Sequence, residues 1–208
     1  AGLVCIGASE NSTVMFSIPS SITTTVTNGV ANFENIEVFQ GTFLRKQFLV
    51  DGSLDQRFLL DNSFIDSSTI VVKVKGLSDT NTLGREYSLA SNILNIDATS
   101  ETYLIQEVQD EKYELLFGDG YFGKKLENGA VITATYIITD GKSGNGSANF
   151  SYSGRVVDSL NNPIVPTNNI VITTKESASN GGDIESIDSI KYFAPRIYAS
   201  QYLSLIHI

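Results

Sequence analysis

The sequence predicts a mainly β protein of the α+β class: antiparallel sheets in sandwich-like modules, with one amphipathic helix near the C-terminus. Three observations carry that expectation. Ile70, Val72 and Val74 are interleaved with Val71, Lys73 and Lys75, and Ile132, Ala134, Tyr136 and Ile138 with Thr133, Thr135 and Thr139. A period of two is that of a strand with one buried face. Seventeen glycines, four prolines and no tryptophan, among many Thr, Ser and Asn residues, suit short strands joined by tight turns. Helical spacing is convincing in one place, where Ile184, Ile187, Ile190 and Phe193 fall on one stripe.

In chain order, residues 1–35 form an N-terminal β segment. Its apolar runs 14–18 and 22–26 are separated by Pro19-Ser20-Ser21 and closed by Asn28-Gly29. Residues 36–95 read as a β module with strands at 36–39, 46–50, 57–60, 69–75 and 86–89, turned by Asp51-Gly52 and Asp61-Asn62. Residues 96–155 form another β module, in which 102–108 and 113–117 pair around the polar turn 109–112, and 148–152 is a short strand. Residues 156–202 hold a β-branched strand at 169–174 and a helix at 183–194. Asp183 can cap that helix, Glu185 and Asp188 suit its positive end, and Pro195 stops it. The terminal stretch 203–208 carries no capping signal and is expected to be foreign to the natural gene. Ala1 is expected to fall inside a longer chain, lacking a Met and a basic leader.

The stretch 113–139 organises the rest. Gly118, Gly120 and Gly123 spell G-x-G-x-x-G after a strand-like run, the form of a dinucleotide-binding turn. That turn works only where a helix begins at the last glycine. Here the next breaker, Asn128-Gly129, follows too soon for a helix, and the chain then resumes the alternation of a strand. Gly118, Asp119, Gly120, Gly123, Asn128 and Gly129 are therefore expected to build a structural turn, with at least one glycine at positive φ.

Composition narrows the function. A net charge of −9 opposes a phosphate-backbone binder, so no nucleic-acid partner is expected. Cys5 is the one cysteine and His207 the one histidine, too few for a disulfide framework, a multi-cysteine zinc site or an internal Ser-His-Asp arrangement. Asp51, Asp55, Asp61 and Asp66 lack the spacing of a calcium loop and read as turn residues. Glu107 and Asp110 have the residue types of a glycosidase pair, but their separation is not fixed by sequence. No cofactor, metal or enzymatic activity is expected. No apolar run is long enough to cross a membrane as a helix, and no membrane partner is expected. Tyr103, Tyr121 and Phe122 are candidates for a binding cleft, with core packing the favoured expectation.

Phe117-Gly118-Asp119-Gly120, Gly123-Lys124-Lys125-Leu126, Asn128-Gly129, Tyr136 and Gly144-Asn145-Gly146 resemble the pattern of the baseplate J-like family of contractile-tailed bacteriophages, its wedge members in particular. Val38-Phe39-Gln40-Gly41, Asp66-Ser67-Ser68-Thr69, Gln106-Glu107 and Gly181-Gly182-Asp183 fit the same resemblance in the same order, so that it spans residues 36–201. It implies a structural protein of the virion, assembled in the host cytoplasm, with other baseplate wedge and hub proteins as partners and self-association in a ring. Beyond Gln201 the family continues with further helical segments, and Tyr192 and Phe193, less covered without them, are the expected interface residues. A β-rich binding module, adhesin or carbohydrate-binding, is the alternative.

Overall fold

The computed structural model describes residues 1–9, 12–53, 55–90, 96–165, 170–183 and 191–192. Thirteen strands are assigned among them, nearly all antiparallel. β1 (Gly2–Ser9), β2 (Ser12–Ile18), β5 (Phe39–Gln40) and β13 (Phe150–Tyr152) form a small sheet in the order β13-β1-β2-β5. β6 (Thr42–Leu49), β7 (Phe58–Leu60), β8 (Ile65–Lys75), β9 (Arg85–Leu89), β10 (Thr102–Val108), β11 (Lys112–Phe117) and β12 (Val131–Ile138) form the large one, in the order β6-β12-β8-β9-β10-β11-β7. β3 (Val26–Thr27) and β4 (Val30–Ala31) make an isolated hairpin. Pairing crosses the sequence segments, since residues 2–18 join residues 150–152 in one sheet.

The large sheet curls into a near-barrel because each of its strands has one apolar face to bury. Leu60, Ile70, Val72, Val74, Tyr87, Tyr103, Leu115, Ile132, Ala134 and Tyr136 meet inside it, and β6 adds Leu44 and Phe48. The alternations read from the sequence appear here as alternating buried and half-buried positions in β8 and β12. The end strands β6 and β7 share no ladder. Side chains close the seam instead: Phe48 meets Phe58 edge-on with ring centroids 5.6 Å apart, Lys46 pairs with Asp61 at 2.6 Å, and the Gln56 amide donates to the Leu49 carbonyl at 2.7 Å while accepting the Asp51 N–H.

Two of the quoted motifs do structural work. At Asp66-Ser67-Ser68-Thr69 the pairing of β8 with β12 slips, from Thr135 opposite Val71 to Ile137 opposite Asp66. The Thr69 hydroxyl enters the gap, accepting the Ile137 N–H at 3.0 Å and donating to the Asp66 carbonyl at 2.7 Å. The Ile137 N–H, which the slip takes out of the ladder, is paired in this way. At Gln40-Gly41 the two sheets join. The Gln40 amide oxygen accepts the Thr139 hydroxyl and the Asp140 N–H, and the buried Ser17 hydroxyl donates to the Gly41 carbonyl at 3.0 Å.

Three expectations are corrected. The apolar run 22–26 is a strand only at Val26, where the short hairpin of β3 and β4 begins. The β-branched segment 169–174 is no strand over residues 170–174, because no neighbouring strand takes up its backbone groups among the described residues. Gly2–Ser9 is a full strand that the sequence reading left out. The helix expected at 183–194 falls mostly outside the described residues, as do its stripe Ile184, Ile187, Ile190 and Phe193 and the tail 203–208. Lys191 and Tyr192 are helical, with Tyr192 more than half exposed. Asp183, the expected cap, pairs with Lys142 at 2.7 Å.

The sheet junction generates a prediction. Gly41 has φ +134° and a Cβ there would lie 2.1 Å from the Ile138 carbonyl oxygen. Gly41→Ala is expected to destabilise the protein by about 2 kcal/mol or more, combining backbone strain with a clash that only backbone movement relieves. Urea denaturation checks it, and an unchanged midpoint would remove the junction from the account.

Candidate functional site

The glycine turn follows β11 at one end of the near-barrel. No helix begins at Gly123: Gly118 instead bridges to Lys125, and the chain returns through a turn at Asn128-Gly129 to β12. Gly120, Gly123 and Gly129 all have positive φ, at 97°, 86° and 85°. Gly118 has a different reason to be glycine. A Cβ there would sit 2.1 Å from the carbonyl carbon of Gly123, so the two backbone passes lie against each other. The Asn128 side chain covers Gly52, and the Gly129 N–H donates to the Val50 carbonyl at 2.7 Å, which fastens the turn to the end of β6.

Asp119 is the organiser of the tip. One of its carboxylate oxygens accepts the Tyr121 N–H at 2.8 Å and the Phe122 N–H at 2.9 Å. Those two donors, Phe122 foremost, hold the Asp119 carboxyl below the usual carboxylate range. Below the tip, the Gly120 N–H donates to the Gly123 carbonyl, the Gly123 N–H to Asp97 and the Lys124 N–H to Ser100. Asp97 is tied in turn to Thr99 and Ser100 through its carboxylate. A loop with this many internal partners is fixed before it meets anything.

What it presents are Tyr121 and Phe122, 82% and 65% exposed. This corrects the expectation of core packing for both. Tyr103 does lie in the core, with its hydroxyl donating to the Ile70 carbonyl. The difference is position in the ladder: Tyr103 lies on an inward-facing strand position, whereas Tyr121 and Phe122 follow an Asx turn at a loop tip.

Beside the tip lies a shallow pocket of about 130 Å³, with Asp79, Arg85, Tyr87, Glu101 and Lys124 among its lining. Lys124 pairs with Glu101 at 2.7 Å, Glu101 with Arg85 at 3.2 Å, and Arg85 with Asp79 at 3.3 Å. Lys124 holds the Glu101 carboxyl below its ordinary range and is itself raised. Two cations and two anions pair with one another, so the pocket carries balanced charge. The sequence reading missed this network, although Asp97-Ala98-Thr99-Ser100, a turn-forming run, marked the platform on which it rests. Among the described residues, no group of His, Cys, Asp and Glu is placed to hold a metal ion. No family model matches the chain, and no curated protein matches it either. The chemistry of the turn has to be read from its own atoms, and they offer a rigid apolar contact.

Two outcomes are expected. Gly118→Val should destabilise the fold by about 2 kcal/mol or more, because two backbone segments would have to part. A neutral result in thermal or urea unfolding would contradict the close approach. For the tip, Asp119→Ala should free the Tyr121 and Phe122 amides, lowering their NMR order parameters to about 0.6 or less. Since the folded Asp119 pKa is depressed, the same loosening in the unaltered protein should appear only as pH falls through that lowered value, and the tip should stay rigid at and above the ordinary carboxylate range. Loosening already at neutral pH would assign rigidity to some other group.

Proposed function

We propose that the chain is a structural component of a contractile-tail bacteriophage baseplate, in the wedge or inner ring, working through protein–protein assembly. The observation that carries the reading is the FGDG turn. Residues whose pattern resembles the baseplate J-like family form a rigid loop that raises Tyr121 and Phe122 into solvent. Exposed aromatics on a preorganised loop bury large areas at little entropic cost, which is the chemistry of an assembly contact. Other wedge and hub proteins are the proposed partners and the virion the proposed location. Tyr192, more than half exposed, stays a proposed interface residue together with Phe193, which is outside the described residues.

The same aromatics favour a second reading, a β-rich binding module that stacks sugar rings on Tyr121. Expression of the full-length gene product with a tagged terminus separates the two. Copurification with other tail proteins, lost on Tyr121→Ser with Phe122→Ser, is the expected result. Retention on immobilised polysaccharide, with no tail protein recovered, would transfer the function to the binding module.

A further inference from the structure

The sequence holds four Asn-Gly pairs, Asn28-Gly29, Asn128-Gly129, Asn145-Gly146 and Asn180-Gly181. In any such pair the glycine nitrogen can attack the asparagine side-chain amide, because glycine has no Cβ to block the approach. The attack needs that nitrogen free of other partners and the backbone free to turn. The fold withholds both from three of the pairs. The Gly129 N–H donates to the Val50 carbonyl at 2.7 Å, with the Asn128 side chain packed over Gly52. The Gly146 N–H donates to the Ala178 carbonyl at 2.8 Å, and the Gly181 N–H to the Asn145 side-chain oxygen at 2.9 Å. Asn145 is held again through its own amide, which donates to the Gly181 carbonyl.

Asn28-Gly29 differs on each count. Both residues are exposed, and neither the Gly29 N–H nor the Asn28 side chain has a hydrogen-bond partner among the described residues. Nothing lies within 4 Å of where a Gly29 Cβ would stand. Asn28 at φ +51° and Gly29 at φ +78° form a two-residue hairpin turn with both central residues left-handed. Two residue pairs hold the hairpin, Val26 with Ala31 and Thr27 with Val30, and its valines are 66% and 65% exposed. The Thr24 hydroxyl, donating to the Asn32 carbonyl, adds one tie below them. The hairpin joins neither of the other sheets. A two-stranded ribbon without a core is marginal in water, so it opens locally while the rest stays folded. Each opening releases Asn28 from the left-handed turn and lets the Gly29 nitrogen swing toward its side chain.

We propose that Asn28 is a site of spontaneous succinimide formation and deamidation, selected by the fold from the four Asn-Gly pairs. The Gly29 nitrogen gives its proton to hydroxide and forms a bond to Asn28 Cγ. The Cγ–Nδ2 bond breaks, and Nδ2 leaves as ammonia with a proton taken from water, which restores the hydroxide. Water then opens the ring at either of its carbonyl carbons, giving aspartate or isoaspartate. The net change is one water consumed and one ammonia released, with nothing oxidised or reduced. Either product adds a negative charge to an exposed turn of a chain whose net charge is already −9. Isoaspartate also routes the main chain through Cβ, which lengthens the two-residue loop and ends its match to the flanking strands. The hairpin shares no sheet with the core, so the change stays local. This holds whether or not the chain belongs to a baseplate.

Peptide mapping by mass spectrometry tests it on the folded chain, incubated at mildly alkaline pH and sampled over time. Asn28 is expected to convert first, giving a more acidic species in ion exchange, with ammonia released in step. The other three pairs are expected to lag by about tenfold or more, the scale of one hydrogen bond that must break before reaction. In urea the four rates should converge, because each is then an Asn-Gly pair in an open chain. Asn28→Gln, which would have to close a larger ring, should remove the acidic species from the folded chain. The urea unfolding midpoint should be the same before and after conversion, as a change confined to the hairpin requires. If another pair converts first in the folded chain, if the four convert together there, or if Asn28 stays intact until urea unfolds it, selection by the fold is overturned.

Discussion

The structure depends on closing a seven-stranded sheet whose end strands never form a ladder. Burial of the inner faces drives the curl, at roughly 25 cal/mol per Å² of apolar surface removed from water, but burial has no direction and cannot join two edges. That task falls to Phe48 on Phe58, Lys46 with Asp61 and the Gln56 amide on the end of β6. The aromatic pair supplies most of the closure, because an exposed ion pair contributes only about 0–1 kcal/mol. The turn at Asn128-Gly129 sits at the same end of β6, through its bond to Val50. The site and the seam are therefore mechanically continuous.

Polar side chains replace backbone partners wherever the sheets depart from regularity. Thr69 does so at the slip in β8, Gln40 at the joint between sheets, and Asp119 at the tip of the glycine turn. In each case a short side chain accepts an N–H that the ladder leaves over, and in two of the three a glycine at positive φ lies next in sequence. This is why the quoted motifs read as Thr, Gln-Gly and Asp-Gly: they are the grammar of irregular sheet.

Much of this was legible in the sequence, for a local reason. Strands such as β8 and β12 announce themselves because one face is buried and the period of two survives. The hairpin of β10 and β11 was readable from its polar turn. β1 was not, since Leu3, Val4, Cys5 and Ile6 form an apolar run with no polar alternation to mark a strand. Residues 170–174 failed in the opposite sense: strand propensity is local, whereas a strand also needs a neighbour, which propensity cannot see. The core assignment of Tyr121 and Phe122 failed because aromatic composition says nothing of facing. Asp119-Gly120 just before them carried the missing signal, an Asx turn that lifts the next residues out of any ladder.

The pairing of β1 with β13 sets an order of events during synthesis. Cys5 lies opposite Tyr152, so β1 can be covered only after β13 has left the ribosome. At about 5–20 residues per second that wait is on the order of ten seconds, during which β1 and β2 can form a hairpin but cannot bury Phe16 beneath Phe150. A two-stranded hairpin alone is marginal in water. The nascent chain therefore carries an adhesive hairpin for as long as the residues between β2 and β13 take to be made, on a polysome where neighbouring nascent chains carry the same one.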